Sequence, residues 1–139
     1  MSVIDNAIAR LQVLALRCTN IKNAPNYPVE DATALPLAIA HIVSGDAIAQ
    51  NATTAQLNPV INVDFHFARV NLKDAYTRIN TLIPEYLQRL CGDPTLNGAI
   101  DTIQFPVSFS VSPAQWDAVV TQMVSFAVTF KTLETPITT

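Results

Sequence analysis

Glycine is scarce in this chain, with three in 139 residues. Phosphate-cradling loops need glycines close together, so the common nucleotide-binding loops are excluded. Charge is scarce too. Asp, Glu, Lys and Arg make up 14% of the residues, against roughly 25% in an ordinary soluble domain. So small and neutral a domain is expected to have part of its surface covered by copies of itself or by other chains. No two basic residues adjoin, and the net charge is −3. That excludes a free-standing nucleic-acid binder built on clustered Lys and Arg. Only two cysteines and two histidines are present. Cys18 and Cys91 fit neither a metal spacing nor a small-disulfide pattern and read as buried free thiols of a reducing cytoplasm. No carboxylate stands at metal spacing beside His41 or His66, so neither is expected to hold a metal, and no cofactor motif occurs. No apolar run reaches the ~18 residues of a membrane span. Asp5, Asn6, Arg10 and Gln12 interrupt residues 1–18, so a signal peptide is not expected and the chain is read as made in a cytoplasm.

What is present is periodicity. Ile4, Ile8, Leu11, Ala15 and Cys18 recur at helical spacing behind a capping Ser2, with Asp5 in the first turn, and predict a helix over 2–18. Residues 19–34 carry Pro25 and Pro28 without periodicity and read as a long loop. LPLAIAHIV, 35–43, alternates as a strand with an early proline. SGD at 44–46 reads as a turn, AIAQ as a short further strand, and 51–59 as a loop or hairpin tip. VINVDFHFARV, 60–70, is the clearest strand: Ile61, Val63, Phe65 and Phe67 form the core face, and Asn62, Asp64 and His66 a wet face. Residues 71–91 predict a helix capped by Asn71, with a kink or break before Pro84 and a left-handed Gly92 closing it. FPVSFSV, 105–111, alternates as a strand with an apolar inward face. SPAQWD, 112–117, reads as a turn or one short helical turn, and Val120 through Phe130 as a long last strand. The expected order is α-β-β-β-α-β-β in one domain. The fold class is α+β: two layers, with a mostly antiparallel sheet of four to five strands and both helices on one face.

No nucleophile elbow occurs. Asp64 and His66 share a strand face, but alternating polar residues on a wet face produce such pairs freely, so the chain does not read as an enzyme. Trp116 is either packed against the end of the sheet or an interface anchor. The two long loops are the expected partner contacts, above all Lys22, Tyr27, Val29, Glu30 and Asp31.

The stretch Asp93-Pro94-Thr95-Leu96-Asn97-Gly98, followed by Ile100 to Ile103 and two long strands, resembles a motif of the tail terminator family. These are neck or tail-completion proteins at the head–tail junction of long-tailed bacteriophages. ATALPLAIAHIV and FHFARV stand in the expected order before it. The family's motif has a glycine where this chain has Asn97, which also tolerates a left-handed backbone. The resemblance implies a ring-forming structural protein, usually a hexamer, in the virion. Its implied partners are its own copies, the tail tube protein and the head connector or stopper, with DNA as passing cargo and no membrane. Asp93, Pro94 and Gly98 are expected to shape a structural turn between the second helix and the next strand. Two alternatives stand beside this reading: a head-completion, stopper or minor tail protein, and a cytoplasmic module holding a small ligand between helices and sheet.

Overall fold

A computed structural model describes residues 3–18, 21, 37–49, 55–68, 72–116 and 119–134. Its elements are α1 (Val3–Leu16), β1 (Leu37–Ala49), β2 (Ala55–Ala68), α2 (Leu72–Cys91), β3 (Thr102–Trp116) and β4 (Val119–Glu134). The strands form one antiparallel sheet in the order β1-β2-β4-β3. Both helices lie on one face, as the α+β expectation requires.

The core grows from the expected alternation. Ile61, Val63, Phe65 and Phe67 of β2 are buried beside Val124, Phe126, Val128 and Phe130 of β4. Helix α2 adds Ala75, Ile79, Leu82, Tyr86 and Leu90, a stripe at helical spacing. Tyr86 is completely buried. Its ring stands edge-on to Phe65 at 4.9 Å and tilted against Phe126 at 5.1 Å. Its hydroxyl donates to the Leu11 carbonyl of α1 at 3.3 Å. One side chain thus ties both helices to the two central strands.

In β1, Ala38 and Ala40 face α1, while Leu37 and Ile39 point to the opposite side of the sheet, in register with His66 and Asp64. Small residues let the helix sit close, and Gln12 of α1 donates to the Ala38 carbonyl at 3.2 Å. The face away from the helices is not uniformly wet: Leu37, Ile39, His66 and Thr121 are buried there.

Several expected boundaries move. SGD is no turn. It lies inside β1, where a bulge between Ile42 and Ser44 absorbs the extra residue. The two strands expected over 35–50 are therefore one, and β2 begins at Ala55 rather than Val60. Gly45 is required there by close approach, because a Cβ would stand 2.9 Å from the Pro59 Cα. SPAQW likewise continues β3 instead of turning. Helix α2 runs unbroken through Pro84. Pro84 and Asn80, whose carbonyl loses its amide partner, are both exposed residues, and the core stripe holds the turns on either side. Gly92 is not left-handed; that conformation falls on Leu96, Asn97 and Gly98. The caps assigned to Ser2 and Asn71, and the loop over 22–34, lie outside the described residues.

If Tyr86 is the central tie, Tyr86→Phe should cost about 1 kcal/mol, the net worth of one hydrogen bond. Tyr86→Ala should cost about 3–5 kcal/mol through lost packing. Urea denaturation of both variants measures this; equal, small losses would remove Tyr86 from that position.

Candidate functional site

Asp93 organises the turn that follows α2. Its Oδ1 accepts the Asn97 amide at 2.8 Å, and its Oδ2 accepts Arg10 Nε from α1 at 2.7 Å. Thr95 Oγ1 accepts the Gly98 amide at 3.3 Å. Leu96, Asn97 and Gly98 are successively left-handed, with φ of 49°, 57° and 83°. Leu96 adopts this backbone while buried in the core, so packing offsets its cost. The turn then anchors both outgoing strands: the Pro94 carbonyl accepts the Ile103 amide at 2.8 Å and the Lys131 carbonyl accepts the Asp101 amide at 3.0 Å. The three residues singled out in the sequence, Asp93, Pro94 and Gly98, thus stand in one turn with a structural job. Arg10, 83 positions away in sequence on α1, was not legible as its partner.

Burial works against the Asp93 charge. Arg10, the Asn97 amide and Arg17 outweigh it and hold the carboxyl below its usual value. Arg10, Arg17 and Arg89 line one cleft between α1 and α2 together with Glu85 and Asp93. Arg89 Nη2 donates to the Arg17 carbonyl at 2.8 Å. Three guanidinium charges here face two carboxylates and the carbonyl ends of two helices, each equivalent to about half a negative charge. The cleft is balanced, and its ionic groups serve to join the helices.

On the opposite face, His41 Nδ1 stands 3.8 Å from Asp64 Oδ2. His66 Nδ1 and Thr121 Oγ1 are bonded at 2.8 Å. Burial, opposed by Asp64, lowers the His66 pKa and favours the neutral ring. A hydroxyl beside an imidazole has the form of a nucleophile and base, but both residues are buried, so no substrate reaches Thr121. Cys18 donates to the Leu14 carbonyl at 3.6 Å. Burial and then Glu85 push its thiol up to about 12 against the pull of Arg89, so no thiolate forms at neutral pH. Cys91, expected to be buried, is exposed. Among the described residues no three His, Cys, Asp or Glu converge on a metal position, and no helix is long and apolar enough to cross a membrane.

The two edges of the sheet stand out instead. On β1, Ile42, Val43 and Ile48 are exposed. On the other edge Phe105, Phe109 and Val111 of β3 are exposed, and so is Val120 of β4. These positions on β3 were expected to face inward. Phe109 and Val111 do share the helix-side face, in register with buried Phe126 and Val124. Phe109 also touches Phe126, with ring centroids 6.0 Å apart. They stay open because α1 sits over β1 and β2, and α2 over Phe65 of β2 and Phe126 of β4, which leaves β3 around Phe109 and Val111 uncovered, while Ile103 nearer the turn is buried. The two prolines within β3, Pro106 and Pro113, were a signal of an edge strand, weakened by Pro59, which sits in the central strand β2.

Trp116 is the last residue of β3, paired with Val119. Lys22, Tyr27, Val29, Glu30 and Asp31 lie outside the described residues. No protein-family model matches the chain, and no curated protein matches it significantly.

Two outcomes test the turn. Gly98 is left-handed with open space around it, so Gly98→Ala should cost about 1 kcal/mol through backbone strain alone. Gly92→Ala, where φ is ordinary, should stay within about 0.5 kcal/mol; equal effects in thermal denaturation would refute the assignment. For Asp93 the folded pKa is depressed, so its stabilising contribution is complete above the unfolded value, near 3.8. It is lost as pH falls through the lower folded value. Thermal midpoints should fall more steeply below that pH in the native protein than in Asp93→Asn, and parallel curves would exclude the role.

Proposed function

We propose that this chain is a structural subunit of a phage head–tail junction: a ring-forming tail terminator that caps the tail tube and meets the head connector. In this reading DNA passes through the ring as cargo and is not bound in sequence-specific fashion. The protein is assembled into the virion after synthesis in the host cytoplasm.

The observation that carries the reading is the pair of unlike apolar edges. A ring needs a heterologous contact, in which one patch of each copy meets a different patch of the next. The β1 edge with Ile42, Val43 and Ile48, and the β3 edge with Phe105, Phe109 and Val111, lie at opposite ends of the sheet. The low charge, 14% of residues, fits a surface that is covered in its working state. The Asp93–Gly98 turn and the order of the elements around it supply the resemblance, and six copies is the ring size it implies. The interior between helices and sheet, where a small-ligand module would hold its ligand, is filled by Phe65, Tyr86 and Phe126.

The test is negative-stain microscopy of the purified protein mixed with tail tubes of its phage. Rings capping one tube end, with tubes of uniform length, are expected. Binding to DNA-filled heads and not to tubes would move the protein to the stopper side of the junction, and binding to neither would refute a junction role. Phe109 is half exposed, so Phe109→Glu should leave a folded monomer, with an unchanged circular dichroism spectrum, that no longer caps tubes. Normal capping by that variant would remove the β3 edge from the ring contact.

A further inference from the structure

The two sheet edges are not equivalent in how they treat a new strand. The β3 edge is guarded: Pro106 and Pro113 lack amide donors, and the register slips between Gln104 and Ser108. An added strand would find its hydrogen-bond ladder interrupted there. The β1 edge has no proline. Beyond its bulge, Ser44 to Ala49 pair with Val60 to Ala55 in unbroken register, so the outer side of that run is a regular, unpaired edge among the described residues. Asp46 carries the only charge in it.

An apolar notch of about 210 Å³ lies beside this run, on the helix side of the sheet. Ile4 of α1 forms one wall, Leu57 and Pro59 of β2 the floor, and Ile42, Gly45 and Ala47 of β1 the side nearest the edge. Gly45 adds no side chain on that side. Asp46 stands at the rim, exposed, and among the described residues no cation lines the notch. In strand addition, main-chain bonds supply affinity and pockets for alternate side chains supply selectivity. Both parts are present at β1 and the first is missing at β3.

We propose that the β1 edge over Ser44–Ala49 takes up an added strand from a partner polypeptide: an extended segment with apolar side chains at alternate positions and a basic residue opposite Asp46. One apolar side chain fills the notch under Ile4; the basic residue pairs with the exposed carboxylate of Asp46. This deepens the junction reading, in that it says how the β1 edge is joined, and its test does not depend on that reading.

The probe is a synthetic hexapeptide, acetyl-Val-Thr-Val-Lys-Val-Thr-amide, titrated into the isolated protein and followed by amide hydrogen exchange and NMR. Slowed exchange confined to residues 44–49 is expected, with affinity reduced at least five-fold by Asp46→Lys. The exposed position of residue 46 leaves the fold intact, which the unperturbed remainder of the spectrum checks. A peptide with Glu in place of Lys should bind more weakly than the Lys peptide and recover on Asp46→Lys. Protection elsewhere, equal binding by both peptides, or no binding at millimolar peptide would overturn the proposal. Rings on tail tubes with unprotected amides at 44–49 would overturn strand addition and leave the junction role standing. Peptide uptake by a protein that caps no tubes would do the reverse.

Discussion

The fold depends on the seating of Tyr86. A fully buried phenol must bury a hydroxyl, and a buried hydroxyl needs a partner. The Leu11 carbonyl is that partner, which fixes how far α1 stands from α2. The ring edges against Phe65 and Phe126 fix α2 over the seam between β2 and β4. Once those distances are set, α1 can rest only over β1 and β2, where Ala38 and Ala40 make room. Phe109 and Val111 of β3 are then left without a helix above them. The open apolar edge follows from the packing of a residue on another element.

The second tie, Asp93, acts on the same geometry from the outside. It closes a left-handed turn with one oxygen and holds α1 through Arg10 with the other. The turn therefore does more than connect α2 to β3. It ties the middle of α1, at Arg10, to the end of α2 and hands the chain to β3 beside Lys131 of β4. A low glycine count makes such a turn conspicuous, because Leu96 and Asn97 adopt backbones usually left to glycine.

Much of the core was legible. The 3.6-residue spacing of Ala75, Ile79, Leu82, Tyr86 and Leu90 and the two-residue spacing in β2 and β4 name most of the buried cluster correctly. What failed were the punctuation marks. Ser-Gly-Asp at 44–46 has the composition of a turn, yet it continues β1, because pairing with β2 and a bulge offset its local preference. Pro84 has the chemistry of a helix breaker, yet the core face on both sides of it keeps α2 whole. In β3 the alternation is real, but alternation reports which residues share a face and not whether that face is covered.

The fold class, the core faces of β2, β4 and α2, and the turn at Asp93–Gly98 could be read along the chain. Each rests on local periodicity or on backbone chemistry that neighbouring residues carry. It took the assembled sheet and helices to bring Arg10 to Asp93, to bond His66 to Thr121, and to leave Ile42, Val43, Phe109 and Val111 open. Those facts depend on strand order and on where two helices sit across four strands. Long-range packing sets both, and no window along the chain contains it.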